Sequence, residues 1–370
     1  MNKERLAFMA LHFVPGIGDH LVKQLVSYCG SAENIFKTPK GKLLKIPGIG
    51  AVTAESIKTG NTFYAAEKEF RRAEKEDVEI LFFTDKSFPS RLKAIDDSPS
   101  LIYVKGNINL NHPRTVGVVG TRQATGYGKE MVEKTVEGLV RHQALIISGL
   151  AYGIDIHAHK QALKHKLPTV GIMGSGIDII YPAAHGETAK KMLDQGALVT
   201  ENHFGVKPDA HNFPARNRII AGLCDALIVI EAAGKGGALI TADIANSYNK
   251  DVFAVPGNIG STYSEGCNKL IKINKAHLFT SVKDLEYIMN WSSESPDPVR
   301  NPTLFDRENA QPDEQNVIRL LREKNIPVMI DDLSLQSGIP LNLLASVLLN
   351  LEFSGVVVTL PGKRYTLKRG

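Results

Sequence analysis

Short runs of apolar residues alternate with longer mixed segments through the middle of the chain. The runs lie at residues 78–83, 101–104, 114–120, 144–148, 169–174, 197–201, 226–231 and 251–255. Most are separated by segments of helical length, which predicts parallel strands joined by crossover helices in an α/β sheet. Residues 145–147 and 228–230 are apolar at every position, so we expect these two strands to be covered on both faces and to lie centrally.

A short internal repeat precedes the sheet. Val14-Pro15-Gly16-Ile17-Gly18 returns as Ile46-Pro47-Gly48-Ile49-Gly50, with helix-compatible segments on both sides of each copy. Glycines permit tight turns between helices, so each copy predicts a helix-hairpin-helix unit. Neither turn is strongly cationic, which favours a structural pair of hairpins. With a polar helix over 64–75, the pattern predicts an all-α domain at residues 1–75 and the sheet domain at 76–291.

The composition changes at residues 292–312, where four prolines lie among polar and charged residues, and we interpret this segment as a linker. Helices over 314–324, 329–338 and 341–352, followed by a hairpin over 356–367, predict a winged helix-turn-helix at 313–370. The third helix holds no Lys or Arg. We therefore favour an interaction or packing unit over a reader of duplex DNA sequence.

Composition limits the functional classes only loosely. The 370 residues carry 44 Lys and Arg against 39 acids, which permits a polyanionic partner without requiring one. Three cysteines without CxxC spacing support neither a disulfide framework nor a zinc cluster. The first residues lack an apolar segment, and no stretch approaches the roughly 18 apolar residues of a membrane span. We expect a cytoplasmic protein that does not enter the membrane.

Small residues follow three of the predicted strands, where a doubly wound sheet binds its ligands. Backbone N–H groups in such turns bind anions, and an arginine fork suits a ligand that keeps its negative charge, such as a phosphate backbone. We therefore predict an anion groove here. Its residues are Gly120, Thr121 and Arg122 after the first strand, Ser148 and Gly149 after the next, and Gly174 and Gly176 after the third.

Two further segments extend this groove. Phe213 precedes Arg216 and Arg218 at the predicted start of a helix, so a base can stack on the ring while an arginine contacts the backbone. The alternative is a buried phenylalanine with one arginine in a structural ion pair. Lys235, Gly236 and Gly237 form another strand-end turn. It is not a Walker loop, because Gly236 stands where Ser or Thr would hold magnesium.

The remaining motifs argue against a cofactor or a metal. The first turn lacks the G-x-G-x-x-G spacing of a dinucleotide site. Helical spacing points His157 and His159 apart, so we expect no metal and assign Asp155 as a helix N-cap. Acids near strand ends, among them Glu201 and Glu231, show no paired nucleophile and base. We predict no catalytic residue and no cofactor.

Five segments, in this order, resemble signatures of the bacterial DNA-processing protein family called DprA or Smf. They are residues 119–122 (Val-Gly-Thr-Arg), 148–155 with His159, 174–178 with Tyr181-Pro182, 213–218 (Phe-Pro-Ala-Arg-Asn-Arg) and 254–257 (Ala-Val-Pro-Gly). The resemblance implies an N-terminal domain of sterile-alpha-motif (SAM) or hairpin type, an extended Rossmann domain and a C-terminal winged helix. Thr121 and Lys235-Gly236-Gly237 depart from the Gly-Ser-Arg and Ser-Gly-Ser of many relatives.

The same resemblance implies a function. Such a protein would bind and protect incoming single-stranded DNA as a homodimer and load RecA recombinase onto it during natural transformation. Arg122, Phe213, Arg216 and Asn217 would line the single-strand groove. The dimer interface would use the late part of the Rossmann domain, in the region of Asn268, Leu270, Ile271 and Leu278.

Two alternatives from other classes stay open. One is an enzyme of the nucleotide phosphoribohydrolase type, although its Pro-Gly-Gly-x-Gly-Thr turn is absent around residues 234–241. Base release from nucleoside monophosphates would reveal it. The other is a regulator that binds duplex DNA through the C-terminal module and retains that binding without the sheet domain.

Overall fold

The computed structural model of the chain describes residues 2–291, 311–324, 327–353, 356–360 and 364–367. The chain divides into two compact units, Met1–Ser293 and Glu294–Gly370. The predicted linker over residues 292–312 lies outside the described residues except for its last two, of which Pro312 already begins a helix.

The first unit opens with helices that contain both predicted hairpins. These helices are α1 (Lys3–His12), α2 (Asp19–Cys29), α3 (Ala32–Lys37), α4 (Lys40–Leu43), α5 (Ala51–Thr59) and α6 (Thr62–Lys75). Gly16 lies in the turn before α2 at φ 79°, and Gly48 lies in the turn before α5 at φ 78°. This left-handed backbone is the conformation that glycine adopts without strain, which explains why the repeat retains it in both copies.

The rest of the first unit is an α/β sheet domain. Its strands are β1 (Val78–Phe82), β2 (Leu101–Gly106), β3 (Thr115–Gly120), β4 (Leu145–Gly149), β5 (Thr169–Ile172), β6 (Gly196–Thr200), β7 (Ala226–Ile230), β8 (Asp251–Ala254) and β9 (His277–Leu278). Its helices are α7 (Ser90–Lys93), α8 (Gly126–Leu139), α9 (Ile154–Lys164), α10 (Gly186–Met192), α11 (Asn212–Leu223), α12 (Gly237–Ser247), α13 (Glu265–Lys272) and α14 (Val282–Met289).

The strand order is β1-β2-β6-β5-β4-β3-β7-β8-β9. From β6 to β9 all neighbours are parallel, whereas β2 runs antiparallel to both β1 and β6. The prediction of a doubly wound, mostly parallel sheet is confirmed. Strand order reverses between β3 and β7, where Val116 pairs with Ala226, and the carboxyl ends of these two strands form the crevice in which such sheets bind ligands.

Helices cover both faces of the sheet. Helices α8, α9 and α14 pack on one face around Val118 and Ile228. Helices α11, α12 and α13 pack on the other around Val119 and Leu227. Every residue of β4 and β7 is buried, as the uniformly apolar runs predict.

The helical domain packs against the β1–β2 end of the sheet. The Phe8 ring lies 4.6 Å from that of Phe82, and the Tyr103 hydroxyl donates a hydrogen bond of 2.8 Å to Glu69. Asp19, the first residue of α2, accepts hydrogen bonds from the backbone N–H and the hydroxyl of Ser100 at 2.8 and 2.5 Å. The start of the second helix in the first hairpin therefore faces protein, in keeping with a structural hairpin.

Glu201 belongs to this junction and predicts a pH dependence of stability. It pairs with Arg218, and burial raises the pKa of Glu201 from 4.5 to about 7. A carboxyl with a higher pKa in the folded chain stabilises it below the unfolded pKa, and this contribution is lost as pH rises through the folded pKa. Between pH 4.5 and about 7 the wild type should therefore lose stability relative to Glu201→Gln. Urea unfolding of both proteins across this window measures the difference, and parallel pH curves would contradict it.

The second unit contains three helices and a small sheet among its described residues. They are α15 (Pro312–Lys324), β10 (Val328–Met329), α16 (Ile330–Ser337), α17 (Leu341–Phe353), β11 (Val357–Leu360) and β12 (Arg364–Leu367). The strand order β10-β12-β11 adds one short strand to the predicted hairpin. No single helix in the described residues is long and apolar enough to cross a membrane, although α16 and α17, bent by 108°, pass that test together on length and composition.

Candidate nucleic-acid interface

A cleft of about 730 Å³ opens at the carboxyl ends of β3 and β7. We call it the main cleft. Its walls come from the turn after β3, the turn after β7 and the first residues of α11. Of the predicted site residues, it is lined by Gly120, Thr121, Arg122, Phe213, Arg216, Asn217, Lys235, Gly236 and Gly237. Segments distant in sequence thus meet at the point where the strand order reverses.

The turn that carries Arg122 is fixed to β7. The Thr121 N–H donates to the Glu231 carbonyl at 2.7 Å, and the Thr125 N–H donates to the Glu231 carboxylate at 2.9 Å. A Cβ at Gly120 would overlap the carbonyl oxygen of Ile230, so only glycine permits this approach. Arg122 is exposed, and its guanidinium lies 5.8 Å from the centroid of the Phe213 ring.

Glu231→Ala tests this anchor. The Glu231 carboxylate also accepts from the hydroxyl of Thr125, which in turn caps α8 by accepting from the Gly128 N–H at 3.2 Å. Loss of the carboxylate leaves the Thr125 N–H and hydroxyl without their charged acceptor, so it should lower the free energy of unfolding by about 1.5–3 kcal/mol. Urea unfolding measures it. Glu265→Ala, an exposed acid on α13, is the control, and an equal effect of the two variants would contradict the anchoring role.

Arg216 forms the floor of the main cleft. Its side chain is buried, donates to the Ile172 carbonyl and donates to the Asn217 amide oxygen at 3.1 Å. Asp155 lies below it, with a carboxylate oxygen 3.8 Å from Nη2 of Arg216. Burial raises the pKa of Asp155 to about 6, and Arg216 opposes this rise. The floor is therefore a buried pair in which the Asp155 carboxylate offsets the charge of Arg216, beneath an exposed cationic rim.

Aromatic side chains line a small slot of about 40 Å³ beside the main cleft. The rings of Tyr181 and Phe213 lie 5.5 Å apart, and Tyr152 lines the same slot. Gly174 also lines the slot and lies close to the Phe213 ring, since a Cβ at this position would be 3.1 Å from it. Neither tyrosine is among the site residues predicted from the sequence, although each follows a strand-end glycine turn.

The wall after β7 is a helix N-terminus. Helix α12 begins at Gly237, so its first backbone N–H groups face the main cleft without intrahelical partners. Gly236 has φ 159°, and Lys235 is exposed at the rim. Free N–H groups and an ammonium on one wall, with Arg122 on the other, suit a bound anion.

Four predicted site residues line neither the main cleft nor the slot. The Ser148 hydroxyl is buried and donates to the Val118 carbonyl at 2.6 Å. Gly149 lies directly under the Arg216 guanidinium, and Gly176 packs against the backbone of His203. Arg218 pairs with Glu201 and donates to the Asp97 carbonyl at 2.6 Å. We therefore assign these four residues a structural role in the fold around the cleft instead of direct contact with a ligand.

The N-cap assignment of Asp155 is wrong. Helix α9 begins at Ile154 after Gly153, which puts Asp155 inside its first turn with the carboxylate toward Arg216. His159 is buried and hydrogen-bonded through both nitrogens, to Thr169 at 2.7 Å and to the Gly149 carbonyl at 2.9 Å. Among the described residues, no cluster of three or more His, Cys, Asp or Glu side chains is arranged to hold a metal.

The residues proposed for a dimer interface divide between core and surface. Leu270 is buried within the sheet domain, and Ile271 packs partly against the same core. The Asn268 side chain bonds to the backbone N–H and carbonyl of Gly257 at 3.1 and 2.9 Å. Leu278 is 50 % exposed on the edge strand β9, with Tyr287 exposed on the next helix. Leu270 is therefore withdrawn from the predicted interface, and Leu278 stays a prediction.

Comparison with known proteins assigns all three parts of the chain. A family model described as DNA recombination-mediator protein A matches residues 79–290, a DprA winged helix domain matches residues 301–363, and a SAM-like helix-hairpin-helix tandem matches residues 8–60. Protein Smf of Escherichia coli is 35 % identical over 294 residues, which cover 76 % of this chain and 75 % of that protein.

Two solved structures resemble the chain. The X-ray structure of DNA processing protein A from Streptococcus pneumoniae aligns with a TM-score of 0.69 at 32 % identity, over 78 % of this chain and 98 % of the other. A structure of DNA processing protein A from Helicobacter pylori, described for its single-stranded DNA binding mode, aligns with a TM-score of 0.52 at 27 % identity, over 58 % of this chain and 95 % of the other.

Proposed function

The chain belongs to the DprA/Smf family of DNA-processing proteins, and from this premise we propose that its main cleft binds single-stranded DNA. The observation that carries the proposal is the juxtaposition of Arg122, Lys235 and the N-terminus of α12 around one opening. These groups bind phosphate and do not distinguish bases.

The aromatic slot favours a single strand over a duplex. Phe213, Tyr181 and Tyr152 present rings next to the cations, where an unpaired base can stack. Bases within a duplex keep their faces stacked on one another, so the slot offers nothing to them. The single-stranded DNA binding mode described for the H. pylori protein supports the same assignment.

We propose further that a homodimer of this protein protects incoming DNA and loads RecA recombinase onto it during natural transformation. Family membership supports this role. The exposed apolar side chains Leu278 and Tyr287 at the β9 end of the sheet supply a surface for the second copy. Light scattering would give the oligomeric state, and RecA filament assembly on single strands coated with a single-strand-binding protein would test the loading. Cytoplasmic location follows from this role and stays a prediction.

Titration of the full chain with matched single- and double-stranded oligonucleotides at two salt concentrations tests DNA binding. We expect tighter binding of the single strand, with affinity that falls as salt rises. Residues 1–291, without the C-terminal module, should retain this preference. Sequence-specific duplex binding that persists without the sheet domain would instead support the C-terminal module as the DNA reader.

We propose that the cleft performs no bond chemistry. Glu231 is buried and occupied by hydrogen bonds to Thr125, and Asp155 is paired with Arg216, so neither carboxylate is placed as a free base toward a ligand. Incubation with nucleoside monophosphates should release no base. Turnover that disappears in Arg122→Ala or Glu231→Gln would identify a nucleotide phosphoribohydrolase.

A further inference from the structure

A second groove of about 450 Å³ lies on the other side of the Arg122 turn. Its lining comes from the same turn, from the start of α8 and from the first turns of α9. The side chains relevant to binding are Arg122, Lys129, Tyr152, His157 and Lys160. No family signature in the sequence includes Lys129 or Lys160, and the main cleft uses neither.

The second groove is continuous with the main cleft. Arg122 lines both, and Tyr152 lines both the second groove and the aromatic slot. The junction is fixed, because the Ile154 N–H donates to the Thr121 carbonyl at 3.1 Å. Gly153, at φ 78°, packs directly on the backbone of Thr121 and Arg122. A chain lying along Arg122 therefore passes directly from one depression to the other.

The charge of the second groove has one sign. Lys129 and Lys160 are exposed and form no ion pair with a carboxylate in the described part of the chain. No acid lines the groove. Glu133, which influences His157 from nearby, is held by Lys164 at 2.6 Å. Burial lowers the pKa of His157, and the charge of Lys129 acts in the same direction, whereas a hydrogen bond to the Lys129 backbone opposes it.

Tyr152 gives the junction an aromatic surface. Its ring is 50 % exposed and is held edge-on against His185, with centroids 4.7 Å apart. An exposed ring between two sets of cations provides the pattern that a flexible strand of alternating bases and phosphates requires. An acidic peptide would use the lysines but has no planar bases to stack on the ring.

We propose that the second groove is a continuation site for the same single strand: Lys129 and Lys160 bind phosphates beyond those held in the main cleft, and Tyr152 stacks the base between. The proposal rests on single-strand binding by the main cleft. The protein would then bind a longer stretch of DNA than the main cleft alone can hold. Arg122 would contact the middle of that stretch instead of its end.

The test is the length dependence of binding by a double variant, Lys129→Gln/Lys160→Gln. Fluorescence anisotropy is measured with oligothymidylates of about 4 and about 20 nucleotides, which span the usual site sizes for such strands. The short oligomer should bind wild type and variant within twofold. The long one should bind the variant about 25-fold more weakly at ~0.1 M salt, with a salt slope smaller by about 1.4, since each phosphate contact on a single strand contributes about 0.7.

The matched control is Lys68→Gln/Lys86→Gln, which removes the same charge from two exposed lysines outside both grooves. It should behave as wild type at both lengths, and thermal unfolding confirms that each variant is folded. Equal weakening in the control, or equal weakening of short and long oligomers, would overturn the continuation site. The continuation site would also be overturned if a polyglutamate peptide needed Lys129 and Lys160 for binding and the long oligomer did not.

The two proposals fail separately. If Arg122→Ala weakens every oligomer and the double lysine variant weakens none, only the continuation site is wrong. If the wild type binds no single strand at either length, the proposed function itself is wrong.

Discussion

Arg216→Ala should lower the free energy of unfolding by about 3–5 kcal/mol, the cost of removing one partner of a buried ion pair. Arg216 and Asp155 are each 6 % exposed, so solvent cannot replace the lost guanidinium. The substitution also leaves the Ile172 carbonyl without its charged donor. Urea unfolding at neutral pH measures the change.

The pH dependence of this loss separates charge from packing. Burial already raises the pKa of Asp155 to about 6, and removal of Arg216 raises it further. An acid with a raised folded pKa stabilises the protein when protonated and loses that contribution as pH rises, so Arg216→Ala should be less damaging near pH 5 than near pH 7.5. Equal losses at both pH values would attribute the effect to the missing side-chain volume alone.

The double variant Asp155→Asn/Arg216→Met is the control for Arg216→Ala. It removes both charges and keeps an unbranched side chain of similar length, so it should regain most of the lost stability. If the double variant is as unstable as Arg216→Ala, the ion pair does not explain the loss. Asp155→Asn alone keeps the guanidinium at the floor of the cleft and should bind single strands at least as well as the wild type.

The strands could be predicted because burial on both faces leaves a direct mark on the sequence. The apolar runs at residues 145–147 and 228–230 both became central strands. The edge strand β9 has only two residues, both exposed, and therefore leaves no apolar run to find. Local composition identifies an element when the element is long and buried, and fails when neighbouring strands decide its existence.

The turn at Gly120, Thr121 and Arg122 could be predicted for a different reason. Parallel strands bring their carboxyl ends to one edge of the sheet. Polar and charged residues that directly follow a strand therefore indicate a binding site at that edge, whatever the position of the strand in the sheet. Arg218 shows the limit of that rule. It lies two residues after Arg216, yet it faces Glu201 and Asp19, and Asp19 is 199 residues away along the chain. One partner comes from the helical domain and the other follows β6, so no local sequence pattern identifies the role of Arg218.

Side-chain direction accounts for the other differences. Ser148 is itself a buried residue of β4, and its hydroxyl points back to β3 instead of into the cleft. Leu270 lies on the buried face of α13, whereas Leu278 lies on the edge strand β9 and is half exposed. Asp155 looked like a cap because it begins a polar helical segment, but its carboxylate compensates the charge of Arg216. Each case depends on a contact between elements that the sequence places far apart.

Arg122→Ala should weaken single-strand binding by about 1.5–3 kcal/mol, or roughly tenfold to 150-fold, which is the range for loss of a hydrogen bond to a charged group. The effect should be similar for every base composition, because the guanidinium contacts phosphate and not base edges. The salt slope should fall by about 0.7. Anisotropy titrations with oligothymidylate and a mixed-sequence strand at several salt concentrations measure both quantities.

Stability provides the internal control for Arg122→Ala. Arg122 is exposed and forms no ion pair with a carboxylate among the described residues, so the free energy of unfolding should change by less than about 0.5 kcal/mol. Arg122→Lys keeps the charge and loses the fork, so it should retain the salt slope while recovering only part of the affinity. Unchanged affinity in Arg122→Ala would remove this residue from the DNA path. Because Arg122 joins the main cleft to the second groove, that result would also separate the two.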